Sequence, residues 1–333
     1  MRLRPLLLLL AALAPAGARA QELDSITVAT GGIALFNYIP MVLAEQIGAF
    51  KKEGLKVEVS DFQGGQRSIE ALVGGSVDVA IATYENAPLL QTKGVTIVTT
   101  SLLNRSIGAV LAVANDKAAK IKGPADVKGF TFGVSSVGSA TQRILNLYLA
   151  KGGLAPADVS AVTLGGGAGA VALIKSGRVD GFVHSEPVVS QALKDGGFKV
   201  IVDGRTEDGM KYLYGGYIAA TVALTTPVYI QKNPRVLQKF SNAMAATLKW
   251  FHNASPEEIT AKVPPQYVGP DQKLYRDAIA LQIPIFSADG MLHRDEIERT
   301  VASMRSEGQL KADQTIDIEK TYNATFAEAA NRK

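Results

Sequence analysis

The sequence predicts an α/β protein of two lobes joined by a two-strand hinge, and three observations lead there. An order of strand, glycine-rich loop, helix and strand occurs twice, two long apolar segments flank the second copy, and the tail beyond them is helical. The first copy opens on residues 25–30, which alternate as a strand, break at Gly31-Gly32 and resume with helical spacing through Met41, Val42, Ala44 and Ile47. Residues 56–59 form the next strand. They run into Gly64-Gly65, then a short helix bearing Ile69, Leu72 and Val73, and then strand 77–82 with Asp78 near its start. In the second copy residues 130–134 are the strand, 135–139 the loop, and 141–150 a helix with apolar Ile144, Leu145, Tyr148 and Leu149. Strand 159–164, the loop at Gly165-Gly166-Gly167, a helix through Val171, Leu173 and Ile174, and strand 179–183 with Asp180 near its start complete it. Two such copies imply two parallel-sheet units.

Segments 102–113 and 217–224 read as long apolar strands that cross between the lobes. The second copy is then an insertion. Lobe 1 comprises residues 21–106 and 218–333 with the C-terminal helices, and lobe 2 comprises residues 107–217. In the tail, Asn233-Pro234 opens a helix through Val236, Leu237, Phe240, Met244 and Leu248, Ser255-Pro256-Glu257-Glu258 has capping-box chemistry, and a further helix spans 294–306. These helices are expected to pack, not to bind.

Arg2 and Arg4, an apolar run over 6–13 and Ala18-Arg19-Ala20 form an export leader cleaved after Ala20, so residues 1–20 are a signal peptide and the product is periplasmic. Its apolar core is about eight residues, against the roughly twenty that span a bilayer. No cysteine occurs anywhere, so neither a lipid anchor at the cleavage point nor disulfides are expected. The formal net charge of +4 includes the leader arginines, and the basic residues are dispersed, which argues against a nucleic-acid partner. With 47% hydrophobic residues in 333, the core of each lobe suffices for stability.

In such sheets a ligand sits at the carboxyl ends of the strands. Residues 30–38, 61–66, 135–141 and 165–169, with the turns 83–86 and 184–187, are the loops concerned. The helix start carrying Ser135, Ser136, Ser139 and Thr141 suits an anion, because unpaired N–H groups and the helix dipole both favour negative charge there. A competing reading makes Ser136 or Ser139 merely the helix cap. Phe36, Tyr38 and Tyr84 could form an aromatic wall, His184 and Glu186 could orient a polar group, and Arg105 could fork onto a carboxylate or pair within the hinge. Enzymatic constellations fail. Three histidines are present, His184-Ser185-Glu186 lacks the cysteines of a zinc deaminase, and Gly165, Gly167 and Ala170 lack the acidic ribose partner of a dinucleotide site. No catalytic residue, metal or cofactor is expected.

The chain resembles the nitrate/sulfonate/taurine-type and thiamine-pyrimidine-synthase-like substrate-binding proteins of ABC importers. The resemblance is carried by 40–44, 48–57, 71–80, 123–129 and 133–139. It implies a type II periplasmic-binding-protein fold, a monomer, and a small solute held between the lobes for ABC permease membrane subunits. It also implies ligand contacts at Gly32, Phe36, Asn37, Thr83, Tyr84, Ser136, Ser139, Thr141, His184 and Glu186. The expected solute is a small organic anion, a sulfonate or an aromatic or aliphatic carboxylate. The alternative is a binding protein or enzyme for a thiamine pyrimidine precursor.

Overall fold

Ten short segments, several of them buried along nearly their whole length, set the frame. In the computed structural model, which describes residues 23–62 and 64–332, these are β1 (Asp24–Thr30), β2 (Leu55–Asp61), β3 (Val79–Thr83), β4 (Val98–Asn104), β5 (Val110–Ala114), β6 (Thr131–Val134), β7 (Ser160–Thr163), β8 (Gly181–His184), β9 (Phe198–Asp203) and β10 (Thr221–Thr225). The leader and its cleavage after Ala20 lie outside the described residues. Among the described residues no helix is long and apolar enough to cross a membrane.

Two five-stranded sheets result, in the orders β2-β1-β3-β10-β4 and β7-β6-β8-β5-β9. The expectation of parallel sheets is corrected in one respect, because β10 and β5 run antiparallel to both neighbours. The reason lies in how they are entered. Each arrives from the other sheet at the carboxyl end of the parallel strands, with Thr221 opposite Thr83 and Val110 opposite His184. The crossovers and the strand ends thus share one side of the molecule.

Equivalent aspartates lock β1 to β3 and β6 to β8. Asp78 Oδ2 accepts from the Thr27 N–H (2.8 Å) and hydroxyl (2.7 Å), and Asp180 Oδ2 accepts from the Thr131 N–H (2.7 Å). Charge-assisted bonds of this kind are among the stronger ones available. Burial pushes the Asp180 carboxyl up, but bonds from Lys117 and Thr131 outweigh it and hold the group below its ordinary value.

The two crossovers lie side by side, with the Ile218 N–H donating to Arg105 O (3.0 Å) and the Ala220 N–H to Asn104 O (3.1 Å). They are not the continuous strands expected over 102–113 and 217–224. β4 ends at Asn104 and β5 begins at Val110, and between them Gly108 takes a left-handed φ of 63°. A side chain there would be strained and would meet Gln282 and Ile285 at under 3 Å. Arg105 is spent within this hinge. Its Nε donates to Glu296 Oε1 (2.7 Å) and its guanidinium lies 4.4 Å from the Tyr217 ring centre.

The tail helices Pro234–Asn253 and Arg294–Ser306 cover the first sheet with buried Leu237, Phe240, Met244, Ile297 and Met304, while Pro256–Lys262 packs Ile259 beside Phe36, Leu43 and Ile279 in a cluster of its own. Ser255 and Glu258 form the expected capping box. Asn233 precedes its helix without a side-chain cap bond, and Pro234 alone sets the start.

Candidate functional site

Loops leaving the carboxyl ends of both sheets enclose a cavity of about 830 Å3. From the first sheet come Gly32, Leu35, Asn37, Tyr38, Asp61, Arg67 and Thr83; from the second come Ser135, Ser136, Ser139, Thr141, Arg143 and Ser185. Ile107 and Thr221 of the crossovers also line it. Close approach of backbones builds the first wall. A side chain on Gly31 would sit 2.5 Å from Gly65 N and 2.6 Å from the Tyr38 hydroxyl, so the loops after β1 and β2 could not meet.

The helix Ala140–Lys151 starts at this cavity. Ser139 is its N-cap, accepting from the Gln142 N–H at 3.5 Å. The hydroxyls of Ser135, Ser139 and Thr141 lie 2.8 to 3.1 Å from one another and Thr141 Oγ1 accepts from the Ser135 N–H (2.9 Å), so side chains are spent on shaping the loop. Ser136 stands outside this triangle. The N–H groups of Ala140 and Thr141, in the first turn, are beyond reach of any intrahelical carbonyl. One turn on, Arg143 donates to Gly138 O (3.0 Å) within its own lobe and to Thr83 Oγ1 (2.8 Å) in the other, with Nη2 2.5 Å from Glu85 Oε2. This pair is nearly dry, its side chains being 17% and 9% exposed.

Of the expected site residues, Gly32, Asn37, Tyr38, Thr83, Ser136, Ser139 and Thr141 line the cavity. Four do not, and each is a correction. Phe36 is fully buried against Tyr275, ring centres 4.8 Å apart. Tyr84 is fully buried in the first lobe's core, its hydroxyl 2.6 Å from Thr321 Oγ1. His184 donates from Nε2 to Gly165 O (2.8 Å) and accepts at Nδ1 from the Ser185 N–H (3.0 Å), which ties the glycine loop to β8. Burial pushes its pKa down, consistent with a neutral ring. Glu186 is sealed in its own lobe by Arg205, 2.5 Å away, and by the Ser190 N–H and hydroxyl. The pattern repeats between the two sheets. Thr83 and Ser185 each lie five residues beyond the clamping aspartates and face the cavity, while Tyr84 and Glu186, one further on, turn inward.

Sequence reasoning named neither Ser185 nor Arg143 as a site residue. Ser185 was legible from its equivalence to Thr83. Arg143, four residues after Ser139, shares the face of the helix that meets the cavity. Tyr38 is the one aromatic side chain among the described lining residues. Burial and the nearby Asp61 push its hydroxyl up to about 12, while the Gly31 N–H pulls the other way.

The pattern defining the NMT1-like family matches residues 20–263. A Bordetella bronchiseptica RB50 protein of known structure is 33% identical, covers 93% of this chain and 98% of its own, and superposes with a TM-score of 0.85. The alkanesulfonate-binding protein SsuA from Xanthomonas axonopodis pv. citri, bound to MOPS, is 18% identical over 92% of this chain and all of its own, with a TM-score of 0.72. YtlA of Bacillus subtilis (strain 168), named as a binding protein, is 24% identical over 82% of this chain and 80% of its own. The two mixed sheets are those of the type II periplasmic-binding fold, and the chain belongs to the NMT1-like family.

Proposed function

We propose that the chain is the exported solute-binding component of an ABC importer, capturing a small organic anion between its lobes and delivering it to a membrane permease. The observation that carries this reading is the helix start at Ala140. Two free N–H groups, the Ser136 hydroxyl and the Arg143 guanidinium converge on a cavity to which both sheets contribute. SsuA, on the same fold, is named for alkanesulfonate. A single aromatic among the described lining residues offers little stacking surface, which favours an aliphatic over an aromatic anion.

Capture of this kind needs no catalytic group. The solute bridges two lobes joined by paired crossovers, so binding favours the closed arrangement. The test is affinity and melting temperature of Ser136→Ala, Ser139→Ala and Thr141→Ala with 1-butanesulfonate and butanoate as probes. A hydroxyl that contacts the anion costs about fivefold to a hundredfold in affinity when removed. Ser139→Ala, as a cap, should instead cost about 1 kcal/mol of ligand-free stability, read as a lower melting temperature, with affinity nearly intact. Unchanged affinity in all three variants removes the anion from this helix start.

A further inference from the structure

We propose that the solute carries, besides its acidic group, a neutral O–H or N–H donor received by Asn37 Oδ1. This rests on the anion reading above and assigns the opposite end of the same molecule.

Asn37 is 8% exposed and lines the cavity on the side of the crossovers. Its Nδ2 donates to Ile107 O (3.1 Å) and, more weakly, to Thr221 Oγ1 (3.5 Å), one partner on each crossover. A backbone carbonyl can only accept, so the amide cannot be flipped without setting oxygen against oxygen at Ile107. Its orientation is therefore fixed by chemistry. What remains is Oδ1, buried and without any donor from the protein. Buried amide oxygens are rarely left unpaired, because desolvation without a partner is costly. The chain here holds the oxygen in place with two bonds on the nitrogen and supplies nothing for the oxygen itself.

The wall supplied by the second sheet has the reverse polarity. At Ala140 and Thr141 the backbone offers donors, and Arg143 offers more. A solute that satisfies both walls accepts at one end and donates at the other. A donor-less anion would leave Asn37 Oδ1 unpaired in the closed cleft, and a site built around a fixed acceptor discriminates against such an analogue. A bridging water is the competing occupant of that acceptor, and it predicts no discrimination.

Matched pairs decide between them: ethanesulfonate against 2-hydroxyethanesulfonate, and propanoate against 3-hydroxypropanoate, titrated by calorimetry into the whole protein. The hydroxylated member of a pair should bind about tenfold more tightly or better. In Asn37→Ala that ratio should fall to near one. Because both members are measured on the same variant, a general loss of affinity or stability cannot mimic the result, and the wild-type ratio decides the matter even if the variant fails to fold. Equal binding of both members to the wild-type protein overturns the Asn37 assignment and leaves the anion reading standing. Tighter binding of uncharged 3-hydroxypropanamide than of propanoate or 3-hydroxypropanoate retains Asn37 and removes the anion.

Discussion

Glu186 follows β8 and Glu85 follows the equivalent β3, yet each is neutralised from a different direction. Arg205 comes to Glu186 from within the same lobe, and the Ser190 N–H and hydroxyl complete its shell. Arg143 comes to Glu85 from the opposite lobe, and Glu85 Oε2 gains no well-aligned hydrogen bond from it despite the 2.5 Å separation. The first pair survives any movement of the hinge. The second must break when the lobes part, and water can then solvate both charges. One ion pair fixes a lobe, and the other fixes how the lobes stand to each other.

The largest expected effect is on the internal pair. Arg205→Ala leaves Glu186 buried and charged, which should cost about 3–5 kcal/mol in urea unfolding. A loss below about 1 kcal/mol would erase the distinction between the two pairs.

A smaller effect sits beside the crossing pair. Burial, with the charge of Glu85 adding to it, pushes the Glu307 carboxyl up to about 7, while bonds from Ser303 and Gln309 and the nearby Arg143 pull it down. A carboxyl whose folded pKa is raised holds its proton more tightly folded than unfolded. Its contribution to stability should therefore be full below the unfolded value near 4.5 and be lost as pH rises to about 7. Glu307→Gln should flatten that decline, which is about 3 kcal/mol. Parallel wild-type and Glu307→Gln stability curves between pH 4.5 and 7 would show that Glu307 does not titrate as a buried acid; the difference is the readout because the lowered pKa of His184 slopes the other way.

The smallest effect on stability belongs to the crossing pair itself. Glu85→Ala should cost about 1 kcal/mol, because Arg143 can reach water once the lobes open. It should instead enlarge the ligand-free radius of gyration by small-angle scattering. A cost like that of Arg205→Ala with no change in size would make both pairs alike.

Much of this fold was legible in the chain. The strands, their glycine-rich loops and the tail helices follow from periodicity and turn residues, and the duplicated order announced two sheets of one design. Asp78 and Asp180 stood out only as acids near strand starts. Their role as clamps on Thr27 and Thr131 required the register between strands.

The site was read less well, and the errors have one origin. Expressive side chains drew the reading away from plain ones: Tyr84 is named beside Thr83, and His184 and Glu186 in place of Ser185. Tyr84, Ser185 and Glu186 sit just past the ends of β3 and β8, so which of them faces the cavity is set by how the chain leaves each strand and not by chemical character. The chain by itself determined two α/β units, a helix start rich in hydroxyls and unpaired N–H groups, and an asparagine in the first loop. These depend on local spacing and backbone conformation. Only the tertiary structure decided that Phe36 and Tyr84 are core, that Arg143 reaches across to Glu85, and that Asn37 has its nitrogen spent on Ile107 and its oxygen left over. Those outcomes depend on which surfaces the two lobes bring together, and no local interval of the sequence contains both partners.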